Sequence, residues 1–331
     1  MKGHIQYIVI TLLCILAAAC SKKMSDPQLT DIPIKVSAGL QTKASIFDTQ
    51  ASLTNSEIGG GNMIVSAYIT EGEDAGTTPF IDNVRVTYFA DAKDWRFTNA
   101  AGAYVNYYWP KQDKLDFFAY FPMDITKTGV TSVAYTYKGG PSFNYSLPLD
   151  NQEDLQEFIY SYVQKKDAST GNVQLDFHHP FAAVKFELGM SYRLMMHSIK
   201  LTNIYYTGSY STDEDGIWQM TQEEPFGNLD ISIGKGVPDQ INFNSPIGGP
   251  YMVAPQTIPD AAEFQISFTR LDGQPETKTV KLYNLGGITK WEAGKLYTYN
   301  LSLGNTEEEI LFKVTVENWK IIDHKNDIDV E

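Results

Sequence analysis

Short apolar runs that alternate every second residue recur along most of this chain, and they constrain its fold more than any other feature. Leu296-Tyr297-Thr298-Tyr299-Asn300-Leu301-Ser302-Leu303 is the plainest case. A strand turns successive side chains to opposite faces, so period-two alternation marks a strand with one face buried. A first set of β-type runs is Met63–Thr70, Val84–Ala90, Leu115–Phe121, Thr131–Tyr137 and Phe158–Val163. A second set is Val173–Phe177, Ala182–Leu188, Ser198–Tyr206, Phe264–Arg270, Thr277–Leu285, Leu296–Leu303 and Leu311–Val316. They are rich in Val, Ile, Thr, Tyr and Phe, which suit a pleated, half-buried surface. Turn signals punctuate them at Gly139-Gly140-Pro141, Asp213–Gly216, Gly248-Gly249-Pro250, Asp272-Gly273 and Gly286-Gly287. Helical periodicity is almost missing beyond residue 19, with room for one helical turn at the start of Asn151–Val163. The pattern predicts an all-β chain built of antiparallel β-sandwiches.

Length sets how many. At roughly 150 residues per domain, 331 residues suggest two units, each large enough to bury a core. The polar stretch Asp167–Asn172 separates the two sets of runs, so the units are read as 44–170 and 171–331. The chain carries 26 Lys+Arg against 40 Asp+Glu, a formal charge of −14. Nucleic acid is thereby excluded as a partner, because phosphate neutralisation needs a basic face. Tyr (20), Phe (17) and Trp (5) are too plentiful for a disordered acidic chain.

The N-terminus decides the compartment. Lys2 and His4 precede an apolar run from Ile5 to Ala19 that closes on Leu16-Ala17-Ala18-Ala19-Cys20. The run is too short to span a bilayer and suits the core of a signal peptide. Its small residues before Cys20 look like a bacterial lipobox, in which residues 1–19 are removed and Cys20 is acylated (palmitate among the chains). The alternative is an ordinary signal peptide with an incidental Cys. Two or three acyl chains, at about 0.8 kcal/mol per buried CH₂, hold a protein stably on a membrane. The chain's other cysteine, Cys14, leaves with the signal. No disulfide, Cys metal site or Cys nucleophile then remains. Residues 20–43 follow as a lipidated tether and first strand. Residues 21–31 are polar and contain Pro27, and Ile32-Pro33-Ile34-Lys35-Val36 alternates like a strand. Pro33 lacks a donor and suits an edge.

Chemistry is sparse. The five His are His4, His178, His179, His197 and His324. His178 and His179 are adjacent, so a strand would send them to opposite faces, which suits packing better than shared metal ligation. Asp213-Glu214-Asp215-Gly216 reads as a turn rather than half a Ca²⁺ loop. There is no G-x-S-x-G elbow, and Gly59-Gly60-Gly61 precedes a strand rather than a helix that would cradle phosphate. No cofactor, metal or catalytic residue is assigned, and the chain is read as a non-enzyme. The aromatic clusters Tyr107-Tyr108-Trp109 and Phe117-Phe118-Ala119-Tyr120-Phe121 are either core or an exposed sugar-stacking platform. The second choice gives an alternative function, a surface glycan-binding lipoprotein of the outer membrane.

Several blocks, taken in order, resemble one family. They are Tyr108-Trp109-Pro110 with Leu115–Pro122, Val173–Leu188 with its Phe177-His178-His179-Pro180-Phe181 centre, Tyr251–Gln256, Trp291–Leu301, and Val314–Trp319. Together, behind a lipobox, they are similar to the fimbrillin family, the subunits of donor-strand-assembled (type V) pili. The resemblance implies two tandem transthyretin-like β-sandwich domains and a surface-exposed fimbrium at the outer membrane. It also implies partners: other fimbrial subunits, the outer membrane through the lipid, and host surfaces or other bacteria through adhesion. In such subunits a protease removes the first strand and a neighbour's C-terminal strand replaces it. Here Ile32, Ile34 and Val36 would mark the removable strand. The tail 320–331, with Ile321, Ile328 and Val330, would be the donor. The family's cleavage commonly follows an Arg, whereas this chain offers Lys43-Ala44 and has its first Arg at Arg85. A cut there would discard five Lys but only two Asp, leaving a more acidic subunit. Uncut, the subunit would stay on its lipid as the filament base. Stalk, tip and anchor roles stay open.

Overall fold

The computed structural model describes residues 28–40, 61–71, 78–136, 140–150, 152, 155–188, 195–212, 218–223, 226–231, 245–269, 273–303 and 310–318. Their regular structure is strand, with short 3-10 turns such as Ile125–Lys127 and Ala168–Thr170. In chain order the strands are β1 (Leu29–Pro33), β2 (Lys35–Leu40), β3 (Asn62–Glu71), β4 (Pro79–Phe89), β5 (Asp94–Thr98), β6 (Tyr108–Pro110), β7 (Lys114–Phe121) and β8 (Val130–Thr136). There follow β9 (Gly140–Ser146), β10 (Ile159–Lys166), β11 (Asn172–Phe177), β12 (Ala182–Leu188), β13 (Met195–Ile204), β14 (Thr207–Thr212), β15 (Trp218–Glu223) and β16 (Gly227–Ile231). The last are β17 (Ser245–Val253), β18 (Gln256–Thr257), β19 (Glu263–Thr269), β20 (Pro275–Lys281), β21 (Lys290–Trp291), β22 (Lys295–Leu303) and β23 (Ile310–Asn318).

Each alternating run holds a strand, although in Thr277–Leu285 the strand ends at Lys281 and the chain turns after it. The strands that alternation does not announce are short, polar or glycine-bearing, such as β5, β6, β9 and β14 to β17. Gly248-Gly249-Pro250, expected as a turn, lies inside β17. Two features admit it there. β17 is the outer strand of its sheet, where a missing donor costs nothing. The register with β12 also shifts on both sides of the Phe186–Gly248 pair, so the glycine sits at a bulge. Likewise Gly140 and Pro141 open β9 instead of closing a turn.

Three apolar clusters hold these strands. In the first, the five-stranded sheet β10-β7-β3-β4-β5 faces the β2–β11 pair. β3 contributes Met63, Val65, Ala67 and Ile69 to it, and β7 contributes Leu115, Phe117, Ala119 and Phe121. The opposite face of β7 turns Phe118 and Tyr120 into a second cluster, with Phe143, Tyr145, Phe158, Tyr210 and Met252. Burial on both faces explains why 117–121 reads as a continuous apolar run. Beside it, the sheet β15-β14-β9-β8 joins strands from both halves of the sequence, β9 pairing with β14 from Thr207–Ser146 to Ser211–Ser142. The third cluster lies between the sheets β17-β12-β22-β23 and β16-β13-β19-β20.

Two differences from the sequence reading follow. β11, read as the start of the second unit, pairs with β2 and buries Val173, Leu175 and Phe177 in the first core. The change of core falls after Phe177, not at 170/171. The polar stretch before it is a capped 3-10 turn, in which Asp167 caps Ser169 and Thr170 and the chain passes from β10 to β11. Polarity there marks a turn rather than the end of a core. Nor is every ladder antiparallel: β2–β11 and β12–β22 are parallel. Parallel partners need long crossover connections, and the intervening sheets supply them.

A side-chain amide ties the segment between β9 and β10 to β17. Gln152 Nε2 donates to the Met252 carbonyl (3.0 Å) while its Oε1 accepts from the Met252 N–H (2.7 Å). In the third core Phe264 meets Phe186 edge-on at 5.3 Å. Trp291 Nε1 donates to the Tyr299 hydroxyl at 2.9 Å, with both rings buried. Tyr299→Phe would leave that indole N–H without its acceptor, a loss of about 1–3 kcal/mol. Urea unfolding should show a lower midpoint at unchanged m value.

Candidate functional site: the groove filled by the N-terminal strand

Residues 28–40 close the first core from outside, using two different partners. β1 runs antiparallel to β6, with Leu29 opposite Pro110 and Pro33 opposite Tyr108. Ile34 then donates its N–H to the Tyr107 carbonyl at 2.7 Å. From Lys35 the chain leaves β6 and runs parallel to β11, in register from Lys35–Asn172 to Leu40–Phe177. Pro33 sits at the changeover, where its missing N–H breaks no ladder.

The changeover corrects one expectation. Ile32, Ile34 and Val36 were expected to share one face. Ile34 and Val36 are each 4% exposed, but Ile32 is 47% exposed. Alternation holds only within one ladder, and the register shifts along β1 before the chain changes partner. Ile34 and Val36 therefore enter the core with Val173, Leu175, Phe177 and Trp109, and Ala38 packs against it half-buried.

On its other edge β2 has no ladder partner among the described residues. A cleft of ≈ 540 Å³ separates it from β5, lined on the far side by Asp94–Phe97 and Tyr104–Asn106. Arg96 stiffens that wall. Its Nε bonds both Asp94 oxygens (3.0 and 2.9 Å), and its guanidinium lies over the rings of Phe89 and Tyr104. At the far end of β11, His178 bridges to Tyr160. Burial pushes its pKa below the ordinary 6.5, the Asp176 carboxylate opposes this, and His179 adds to the lowering. His179 itself is buried, with Nδ1 2.5 Å from Glu157 Oε1. Both histidines serve packing, and no cluster of metal-ligating side chains occurs among the described residues.

The aromatic clusters face inward. Trp109 and Phe117 are fully buried and Phe118 is 3% exposed. Trp109, Phe117 and Phe118 are therefore closed to sugar stacking, because β7 spends one face on each of two cores, while Tyr107, Tyr108 and Tyr120 are half-buried. Cys20, Lys43, Ala44, Ile321, Ile328 and Val330 lie outside the described residues. Sequence reasoning missed β6 as the partner of β1, and β5 as the wall of the cleft. Their runs are too short and too polar to alternate visibly.

Fold and site together define a β-sheet structural protein whose first core is completed by a peripheral strand. The model of a family described as fimbrillin-like matches residues 49–319, and the chain belongs to that family. Solved structures share the fold at low identity. A fimbrial protein of Bacteroides vulgatus aligns with a TM-score of 0.57 and 15% identity, over 87% of this chain and 99% of that one. A Bacteroides ovatus protein proposed to act in cell adhesion aligns with a TM-score of 0.56 and 14% identity, over 88% and 99%. A Bacteroides uniformis protein, also proposed to act in adhesion, aligns with a TM-score of 0.52 and 15% identity, over 87% and 100%. A comparison with curated protein sequences found no match. Membership of that family makes the chain a fimbrial structural protein rather than an enzyme.

Two outcomes test the groove. Ile34→Ala and Val36→Ala should each lower unfolding stability by about 1–3 kcal/mol, as buried aliphatics do when truncated. Ile32→Ala should stay within about 0.5 kcal/mol; equal losses at all three positions would contradict the partner change at Pro33. Because the folded pKa of His178 is depressed, the unfolded chain takes up the proton more readily. Its stabilising contribution is complete above pH 6.5 and is lost as pH falls through the folded value. Chemical unfolding between pH 8 and 5 should show this slope, reduced in His178→Gln.

Proposed function

We propose that the chain is a polymerising stalk subunit of surface fimbriae, assembled by replacement of its own N-terminal strand. It travels as a lipoprotein held at the outer membrane through acylated Cys20. Proteolysis after Lys43 frees the segment that carries β1 and β2, and a neighbour's tail, with Ile321, Ile328 and Val330 as plugs, takes its place. The assembled fimbria contributes to adhesion to host surfaces or other bacteria.

The observation that carries this reading is the way residues 28–40 are held. They contribute two fully inserted side chains, Ile34 and Val36, and one six-residue ladder to β11. Those contacts are few enough to be lost after a single cut. Their absence is costly, because it bares Val173, Leu175 and Phe177 and leaves one edge of β11 without its partners. An extended segment added to such an edge regains both terms at once. A strand given to the next subunit makes a heterologous contact, which does not close and so grows a filament.

N-terminal sequencing of the subunit from purified surface filaments tests the processing step. The expected start is Ala44. A start at Cys20 in every copy would sink the stalk assignment and make the chain a lipid-held base. Deleting 320–331 should give a folded subunit that no longer polymerises; filaments of normal length from that variant would rule out the tail as donor.

A further inference from the structure

The outer face of the β2–β11 ladder carries a hydrogen-bond relay that the packing beneath it does not require. Asn172 Nδ2 donates to Ser37 Oγ at 3.0 Å, and Ser37 Oγ donates to Gln174 Oε1 at 2.6 Å. Gln174 Nε2 then donates to Asp176 Oδ1 at 3.2 Å. Three members of the relay belong to β11 and one to β2. The register sets Ser37 opposite Gln174 and Gly39 opposite Asp176.

Gly39 is what gives the relay its path. Its backbone is not in the left-handed region, so conformation does not call for glycine. Space does. A Cβ at this position would stand 2.5 Å from Gln174 Nε2 and 3.2 Å from Asp176 Oδ1. The Gln174 amide occupies the volume that a side chain would fill. It is the far end of a flexible side chain, so any residue larger than glycine would displace the amide and break the relay, leaving the backbone in place.

We propose that Asn172, Gln174 and Asp176 form a polar clasp that reads the register of the strand lying in this groove. The strand it fits is an extended segment with apolar residues at the places of Ile34, Val36 and Ala38. The chain's own segment meets these terms, with a hydroxyl at Ser37 and no side chain at Gly39. The tail 320–331 contains no Ser, Thr, Tyr or Gly, so the clasp holds the subunit's own strand in preference to that donor until the strand is cut away. The inference rests on the reading that the groove exchanges its strand. Apolar packing already rejects a one-residue slip, which would turn every plug outward. It discriminates weakly against a two-residue slip, which keeps the apolar face inward. The clasp supplies that missing discrimination. After such a slip Ser37 or Gln41 stands opposite Asp176, and its side chain collides with the Gln174 amide.

Strand exchange into the full chain is the test. A recognition site for a sequence-specific protease is placed between residues 43 and 60. The protein is cut once, and exchange of a fluorescent synthetic peptide copying residues 28–40 is followed. The native peptide should enter the groove. A Gly39→Val peptide should bind about three- to tenfold more weakly, the scale of one or two lost hydrogen bonds. Valine is the better strand former, so intrinsic propensity would act in the opposite direction. On Gln174→Ala protein the Gly39→Val penalty should vanish. Equal binding of the two peptides to the unaltered protein would overturn the clasp and leave strand exchange standing. A penalty that persists on Gln174→Ala protein would overturn the clasp as well. Failure of the native peptide to enter at all would overturn strand exchange, and the clasp with it.

Discussion

Two-sided burial of β7 is the constraint on which the rest of the molecule depends. Leu115, Phe117, Ala119 and Phe121 fill the first core, while Phe118 and Tyr120 enter the second. A strand buried on both faces cannot shift by a residue without spoiling two cores at once. β3 and β10 take their register from it on either side, from Ile64–Tyr120 and from Ile159–Phe121. Asp116 secures the same strand from its polar position. Its carboxylate accepts from Thr70 Oγ1, the Tyr162 hydroxyl and the Lys165 N–H, at 3.0, 2.8 and 2.7 Å. The buried charge is therefore solvated by the protein, which is the condition for tolerating it.

Against this rigid interior, closure of the first core is peripheral. The sheet built on β7 brings Phe97 and Phe117 to a face that needs a cover, and β2 with β11 provides it. β11 is joined directly to the interior through His178 and Phe181. Among the described residues β2 has a ladder only with β11, and Ile34, just before it, donates to the Tyr107 carbonyl. The two covering strands thus differ in how much else must move if one of them leaves. A subunit whose core is sound but whose lid is separable is suited to assembly, because the same groove can hold its own strand or another.

Much of the architecture is legible in the residues. The alternating runs became strands, because burying one face of a pleated sheet imposes a period of two wherever the other face meets solvent. The lettering fails where that condition fails. β17 carries Gly248 and Pro250 because it is an outer strand with a bulge. β5 and β6 are too short to show a period. Ile32 breaks from Ile34 and Val36 because the chain changes partner at Pro33. The aromatic block at 117–121 is apolar throughout because it has no solvent face. For that reason Phe117 and Phe118 cannot also serve as a sugar platform.

Local alternation, turn chemistry and composition were sufficient to make this an all-β chain and to place most of its strands. They were also enough for its order of blocks to resemble the family to which it belongs. Which strand lies beside which was decided only in three dimensions. β2 meets β11 across 130 residues of intervening chain, roughly the span from Leu40 to Asn172, and nothing in either segment names the other. The reason is physical. A strand's own pattern records which face is buried, and that is a local matter. Its neighbour is chosen by the summed packing of distant side chains, such as Ile34 and Val36 over Val173 and Leu175, and by contacts as small as the space that Gly39 leaves for the Gln174 amide.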